Sequence, residues 1–249
     1  SVASRHRFRA AIRAHGSAPT GVLIPSPVMN RSTASGRAIR FDRLKRLLDV
    51  ILATCGLIAG APLMLVIAVA IRVSMGRPVL YRQLRPGLHA QPFELIKFRT
   101  MRDEYDEDGR QIPQEERPTR LGYWLRRTSF DELPELWAIL KGDMSLVGPR
   151  PLLMEYLPLY TAEQARRHDV KPGLTGLAQV MGRHNVDWED RFAYDLHYVD
   201  HRSFRLDAFI LLRTIPAALQ GDGRRPADDY AGPGEDDQAR AVDATRIDR

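Results

Sequence analysis

Apolar and polar positions alternate between distinct regimes along the chain. Residues 1–40 are rich in Ser, Ala, Arg, Gly and Pro and show no apolar period, which predicts a flexible arm. Residues 50–71, VILATCGLIAGAPLMLVIAVAI, then carry no charge. That length matches the roughly 20 residues a helix needs to cross a bilayer core. Pro62 lies near its middle, preceded by Gly60 and Ala61, and a proline there removes a backbone hydrogen bond and bends or breaks a helix. Arg43, Lys45 and Arg46 precede the segment, and Arg72, Arg77, Arg82 and Arg85 follow it. Positive charge marks the cytoplasmic side, so basic flanks at both ends fit a helix pair that enters one leaflet, turns at Pro62 and returns. On the residues alone, that re-entrant hairpin and a plain spanning helix stand level.

Beyond the apolar segment the period shortens. VLYRQL and PFELIKF alternate as a β-hairpin does, with Pro86 and Gly87 near a turn spanning Arg85 to Ala90. Residues 102–118 are acidic and proline-punctuated and predict a loop, while 119–141, 152–168 and 188–219 predict helices. In the last of these Phe204, Leu206, Phe209, Ile210 and Leu212 form an apolar set that suits either a core or a membrane surface. Residues 220–249 are polar and predict a disordered tail.

Charge sharpens this layout. Residues 1–46 hold ten Lys/Arg against one acid, and 220–249 hold eight acids against five arginines, so the net charge of +6 reflects the ends of the chain. A basic arm directly before an apolar segment favours anionic lipid over nucleic acid as its partner. The single cysteine, Cys55, excludes an intrachain disulfide and a paired-cysteine metal site. The apolar run begins too late and extends too far for a signal peptide.

The densest chemistry lies in WLRRTSFDELPELWAILKGDMSLVGPRP, residues 124–151. Asp131 and Glu132 stand between Arg126 and Arg127 on one side and Arg150 on the other. Ser129 and Glu132 match a capping box, in which the two side chains cap a helix start reciprocally. The same residues also suit phosphate chemistry. One carboxylate could hold Mg²⁺ beside a diphosphate, and the other, kept ionised by the helix end and Arg126, could attack phosphorus. Pro149 and Pro151 stiffen the chain around Arg150, whose guanidinium suits phosphate oxygens. Lys97 and Arg99 alternate with Phe98 and so share a strand face. VKPGLTGLAQVMGRH, 170–184, is a glycine-punctuated loop whose Lys171 and Arg183 suit a nucleotide. No phosphate loop of the G-x-x-x-x-G-K type occurs. A glycosidase is excluded because its carboxyls must lie roughly 5–10 Å apart across a bond, and neither acid has an evident distant partner.

From about Phe41 to Leu219 the chain resembles the bacterial sugar transferases, or monotopic phosphoglycosyl transferases, and among them the small PglC-like members. The resemblance rests on KRLLD (45–49), KFRTM (97–101), LRRTSFDELPELWAILKGDMSLVGPRPL (125–152), KPGLTGLAQ (171–179) and YVD (198–200). It implies transfer of a phosphosugar from a UDP-sugar to undecaprenyl phosphate on the cytoplasmic face of a bacterial inner membrane, with membrane lipids as neighbours. By the resemblance, Asp131 attacks the sugar-linked phosphate, UMP leaves, and polyprenol phosphate resolves an acyl-phosphate intermediate. Glu132 binds Mg²⁺, while Arg126, Arg150 and Lys97 bind phosphate or order the site. The family's re-entrant helix, broken at proline, resolves the topology toward a hairpin at Pro62.

The chain departs from the family pattern in three places. The usual Ser-Pro break is Ala61-Pro62, the turn glycine before the KFR strand is Ala90, and VNGRN is replaced by Val180-Met-Gly-Arg-His184. The expected architecture is mainly α with a small β-hairpin: a re-entrant membrane helix-break-helix over 41–77, then a compact α+β catalytic domain over 78–219 with interfacial amphipathic helices. The sugar is not fixed by the residues, although the small-member resemblance points to an N-acetylated or diacetamido hexosamine rather than glucose or galactose, and a homodimer is compatible with them. The rival reading is a membrane-anchored adaptor that binds anionic lipid without catalysis.

Overall fold

The computed structural model describes residues 34–103, 117–181 and 188–219. The sequence expectations for the basic arm up to 33, most of the 102–118 loop, Arg183 and the polar tail lie outside these residues. The described part is mostly helical with small two-stranded sheets.

The apolar segment lies within α1 (Ala34–Met75), which among the described residues is the one helix long and apolar enough to cross a membrane. The expected break does not divide it, because helix continues through Pro62. Proline removes one backbone donor, and the remaining i→i−4 bonds satisfy the chain internally, as apolar surroundings demand. Both ends of α1 are fastened to the rest of the fold. Near its start Lys45 pairs with Asp207 at 2.8 Å, and Arg46 donates to the carbonyls of Ile139 and Leu140. Asp49 accepts from Ser145 Oγ at 2.8 Å and from the Leu146 amide at 3.2 Å. Ala53 is buried in a cluster with Phe93, Leu95, Leu136 and Ile139. In the later half Ile67 and Ile71 join Phe98 and Leu125 in a second cluster. Between these contacts, and on the outer face, Ile58, Leu65, Val66 and Val73 are exposed.

The expected hairpin is formed by β1 (Leu80–Pro86) and β2 (Pro92–Phe98), antiparallel in register Leu80↔Phe98 to Pro86↔Pro92. Its turn holds His89 and Ala90 at φ 53° and 58°. Ala90, the position noted above for lacking glycine, therefore sits in the left-handed region that glycine occupies more readily. The helical stretch 119–141 is two short helices, α2 (Arg120–Arg127) and α3 (Glu135–Lys141), joined by a turn. The helix expected over 152–168 is instead a 3-10 turn over Met154–Leu159, the one-turn α4 (Ala162–Ala165) and a second 3-10 turn. Pro158 interrupts the run, and a capping box at Thr161 and Gln164 restarts it.

Two stretches read as loops contain strand instead. β3 (Ser145–Val147) pairs in parallel with β4 (Gly173–Thr175). After β4 come α5 (Leu177–Met181), α6 (Trp188–His201) and α7 (Phe204–Leu219). The two-way expectation for α7 resolves by side chain. Leu206 and Ile210 are fully buried with Val147, Leu177 and Tyr198, whereas Phe204, Leu212 and Ile215 are exposed.

Candidate active site

The site is built where β2, the α2–α3 turn and the segment after β3 converge. β2 carries Lys97, half-buried near its end. The chain then passes Thr100, whose buried backbone is the floor for α2. Thr119 caps α2 by accepting from the Gly122 amide at 2.9 Å, which suits an extended N-cap residue. One turn after Gly122, Arg126 Nε donates to Thr100 Oγ1 at 2.8 Å. The chain then reverses through Ser129 (φ 57°) into a 3-10 turn, Phe130–Glu132, before Pro134 opens α3. The capping-box expectation for Ser129 and Glu132 is not met. Ser129 is left-handed and its side chain caps nothing, whereas an N-cap needs extended backbone. The two acids thus sit on a tight turn between short helices, rather than on the first turn of a long one.

Glu132 is the hub. Its Oε1 accepts from Arg150 Nη2 at 2.7 Å and Lys97 Nζ at 3.2 Å. Lys97 Nζ also lies 3.4 Å from Glu135 Oε1, an oxygen that is buried and has no hydrogen-bond partner. Asp131, 8% exposed, is next to this set. Three carboxylates therefore face three cations: Lys97, Arg126 and Arg150.

Burial decides the balance. Desolvation, then the charge of Glu132, pushes the Asp131 carboxyl up from 3.8 to about 6, against the pull of Lys97, Arg126 and Arg150. Arg126 pulls the value down as expected, but burial and Glu132 outweigh it; with a value of about 6 the carboxyl is still mostly ionised at neutral pH. Burial likewise raises Glu135 to about 7, against Lys97. For Lys97 burial alone would lower the value, but Glu132 and Glu135 outweigh it and the ammonium is held above its usual range.

The other expected residues are placed elsewhere. Arg99 is buried and donates to the carbonyls of Met101 and Arg77, both at 2.9 Å, and pairs with Asp103. It fastens the end of β2 to the exit of α1 and is not brought to the carboxylates. Lys171 lies beside Arg46 near Gly142, past the far end of α3 from Asp131, where burial and Arg46 push its pKa down. Glu135 was missed in the sequence. The available signal was its spacing of three from Glu132, which puts both on one side of a helical turn.

Carboxylate oxygens are hard donors, and Mg²⁺ takes one or two of them with water and substrate phosphate rather than an all-protein cage. Glu132 and the unbonded oxygen of Glu135, both within 3.4 Å of the same ammonium, fit that pattern. No cluster of three His, Cys, Asp or Glu suited to a metal occurs among the described residues.

Residues 40–221 match the profile of the family described as bacterial sugar transferase. The uncharacterized sugar transferase EpsL of Bacillus subtilis is 52% identical over 180 residues, covering 72% of this chain and 89% of that protein. A UDP-glucose:undecaprenyl-phosphate glucose-1-phosphate transferase of Caulobacter vibrioides is 42% identical, covering 74% and 73%. The undecaprenyl-phosphate galactose phosphotransferase of Salmonella typhimurium is 36% identical over 75% of this chain and 42% of its own length. With this cluster of acids and cations lying inside the matched span, the chain belongs to the bacterial sugar transferase family.

Proposed function

We propose that this protein moves a phosphosugar from a UDP-sugar to undecaprenyl phosphate and releases UMP, at the cytoplasmic face of a bacterial inner membrane. The observation that carries the reading is the convergence of Asp131, Glu132 and Glu135 with Lys97, Arg126 and Arg150 on one turn. A diphosphate brings negative charge, and an attacking carboxylate needs that charge offset before it can approach phosphorus. The guanidinium of Arg150 and the ammonium of Lys97 supply the offset and orient the diphosphate. An Asp131 oxygen then bonds to the phosphorus that bears the sugar as the bond to the UMP oxygen breaks, and UMP leaves with that electron pair. A phosphate oxygen of undecaprenyl phosphate next attacks the same phosphorus, and the Asp131 carboxylate is released. Glu132 would hold Mg²⁺, which would supply further neutralisation of the diphosphate. Relatives named for glucose and galactose transfer make a screen of UDP-hexoses and their N-acetylated forms the direct test. UMP release that requires both a UDP-sugar and undecaprenyl phosphate is expected; no release with any of them would end the proposal.

The Asp131 carboxyl must be ionised to attack. With its value raised to about 6, the rate of UMP release should climb as pH rises through that value and flatten above it. A rate that is level from pH 5 to pH 8 would exclude Asp131 as the group that limits the acid limb.

The re-entrant topology belongs to the same proposal. From Ala53 to Ile71 a straight helix extends about 27 Å. The β2 residues in their respective clusters, Leu95 and Phe98, are only about 10 Å apart along a strand. Attachment of both halves to one small domain supports a bend at Pro62 with both ends on one side of the membrane. Single cysteines placed before residue 45 and after residue 78, in a chain lacking Cys55, should be labelled from the same side by an impermeant reagent. Labelling from opposite sides would establish a spanning helix.

A further inference from the structure

Behind Arg150, away from Glu132, lies a buried ion pair that the steps above do not use. Arg167 and Asp195 are each 2% exposed. Nε and Nη2 of Arg167 both donate to Asp195 Oδ2, at 3.1 and 2.6 Å. Nη2 also donates to the backbone carbonyl of Arg150 at 2.8 Å. A buried pair is by itself weak support for a fold, since the cost of desolvating two ions offsets their attraction. The third bond gives this one another use.

The backbone around Arg150 is held by successive contacts from different elements. The Gly148 amide donates to Thr175 O at 2.9 Å, and Pro149 O accepts from the Gly173 amide at 3.0 Å. Pro151 O lies 3.4 Å from Arg85 Nη1. At residue 150 itself the donor is the buried guanidinium, kept in place by Asp195 from α6 and flanked by the rings of Tyr160 and Phe192. The side chain that leaves this fixed carbon reaches Glu132 at 2.7 Å.

We propose that Arg167 and Asp195 are positioning residues, which lock the Arg150 backbone so that its guanidinium is delivered onto Glu132 and the diphosphate. The proposal rests on the transferase reading of the Asp131 cluster. Neither residue touches the reacting atoms, so the effect must pass through Arg150, and this is what an experiment can isolate.

Removing one partner alone would strand a buried charge and destabilise the fold by itself. The test therefore replaces both, Arg167→Met with Asp195→Leu, in the full chain in lipid nanodiscs. UMP release and the melting temperature are measured with and without Arg150→Ala. The expected result is a 10–100-fold fall in kcat/KM, the range typical of lost outer-shell support, with the melting temperature within a few degrees of the parent. In the Arg150→Ala background the same pair of substitutions should cost less than twofold. Losses that multiply across the two backgrounds, or an unchanged kcat/KM, would overturn the proposal. If the doubly substituted chain does not fold, Arg167→Lys, which keeps a cation for Asp195 but lacks the second arm that reaches the Arg150 carbonyl, replaces it in the same cycle with a smaller loss expected. UDP binding by calorimetry on the same proteins reads the cycle without turnover. Absence of turnover in the parent would then count against the transferase reading alone, while additive binding losses would count against the positioning role.

Discussion

Replacement of Asp131 by asparagine should abolish UMP release and at the same time make the protein harder to melt. The first half follows from chemistry. An amide oxygen has no charge to donate to phosphorus, and removing a nucleophile while leaving the binding groups intact typically costs about 10⁴-fold or more. Incubation with a radiolabelled UDP-sugar should give a sugar-phosphate adduct on the parent chain and none on the variant. An adduct of equal yield on the variant would exclude Asp131 as the attacking group, and an adaptor without catalysis would give none on either. The second half follows from the raised pKa. Because the folded value, about 6, lies above the ordinary 3.8, the folded state binds this proton more tightly than the unfolded chain does. The contribution favours the fold fully below the unfolded value and is lost as pH rises through about 6. At neutral pH the buried carboxylate therefore opposes folding. Asparagine keeps the shape without the charge, so its melting temperature should exceed the parent's above pH 6, with the difference closing below about pH 4. A gap of constant size across that range would locate the effect elsewhere.

The contrast between what could and could not be read from the residues follows the range of the interactions. The apolar run of α1, the alternation that forms β1 and β2, and the buried stripe of α7 with Leu206 and Ile210 are local periodicities, and each was visible. The pairing of β3 with β4 is not local. Three-residue strands 28 positions apart leave no period to detect, and parallel neighbours need no turn signature between them. The site divides in the same way. Asp131, Glu132 and Arg150 stand out because charges are dense in one motif. Glu135 carries no local mark beyond its place in a helical stretch, although folding buries it against Lys97. Arg99 stands out as a second cation beside Lys97, but just past the strand its side chain turns to the carbonyls of residues 77 and 101. Ser129 matched a cap by spacing, yet the chain reverses there through a left-handed residue. Spacing reports which residues could meet, while backbone direction decides which do.

Gly122→Ala should be the most damaging glycine-to-alanine change among the described residues, and its cause would be steric rather than electrostatic. A Cβ at Gly122 would lie 1.8 Å from Thr100 O, 2.6 Å from Thr100 C and 2.9 Å from Thr100 Cα. All three are backbone atoms next to the end of β2, so no side chain can rotate away to make room. To restore ordinary contact α2 must retreat by more than 1 Å, and Arg126, one turn along, retreats with it. Its 2.8 Å bond to Thr100 Oγ1 would then break, and the guanidinium would leave its place beside Asp131. Overpacking of this kind costs up to about 3 kcal/mol, which lowers the melting temperature of a domain this size by about 6–12 °C. Activity should suffer beyond the loss of folded protein, since a displacement of about 1 Å can cost 10²-fold. Measured well below the melting point, kcat should therefore fall at least tenfold. Gly60→Ala is the control, because a Cβ there meets nothing within 4 Å, and alanine in a helix is favoured over glycine by about 1 kcal/mol. That variant should melt no lower than the parent. If Gly122→Ala melted with it and released UMP at the parent's rate, the close seating of α2 on Thr100 would not be what holds Arg126 in the site.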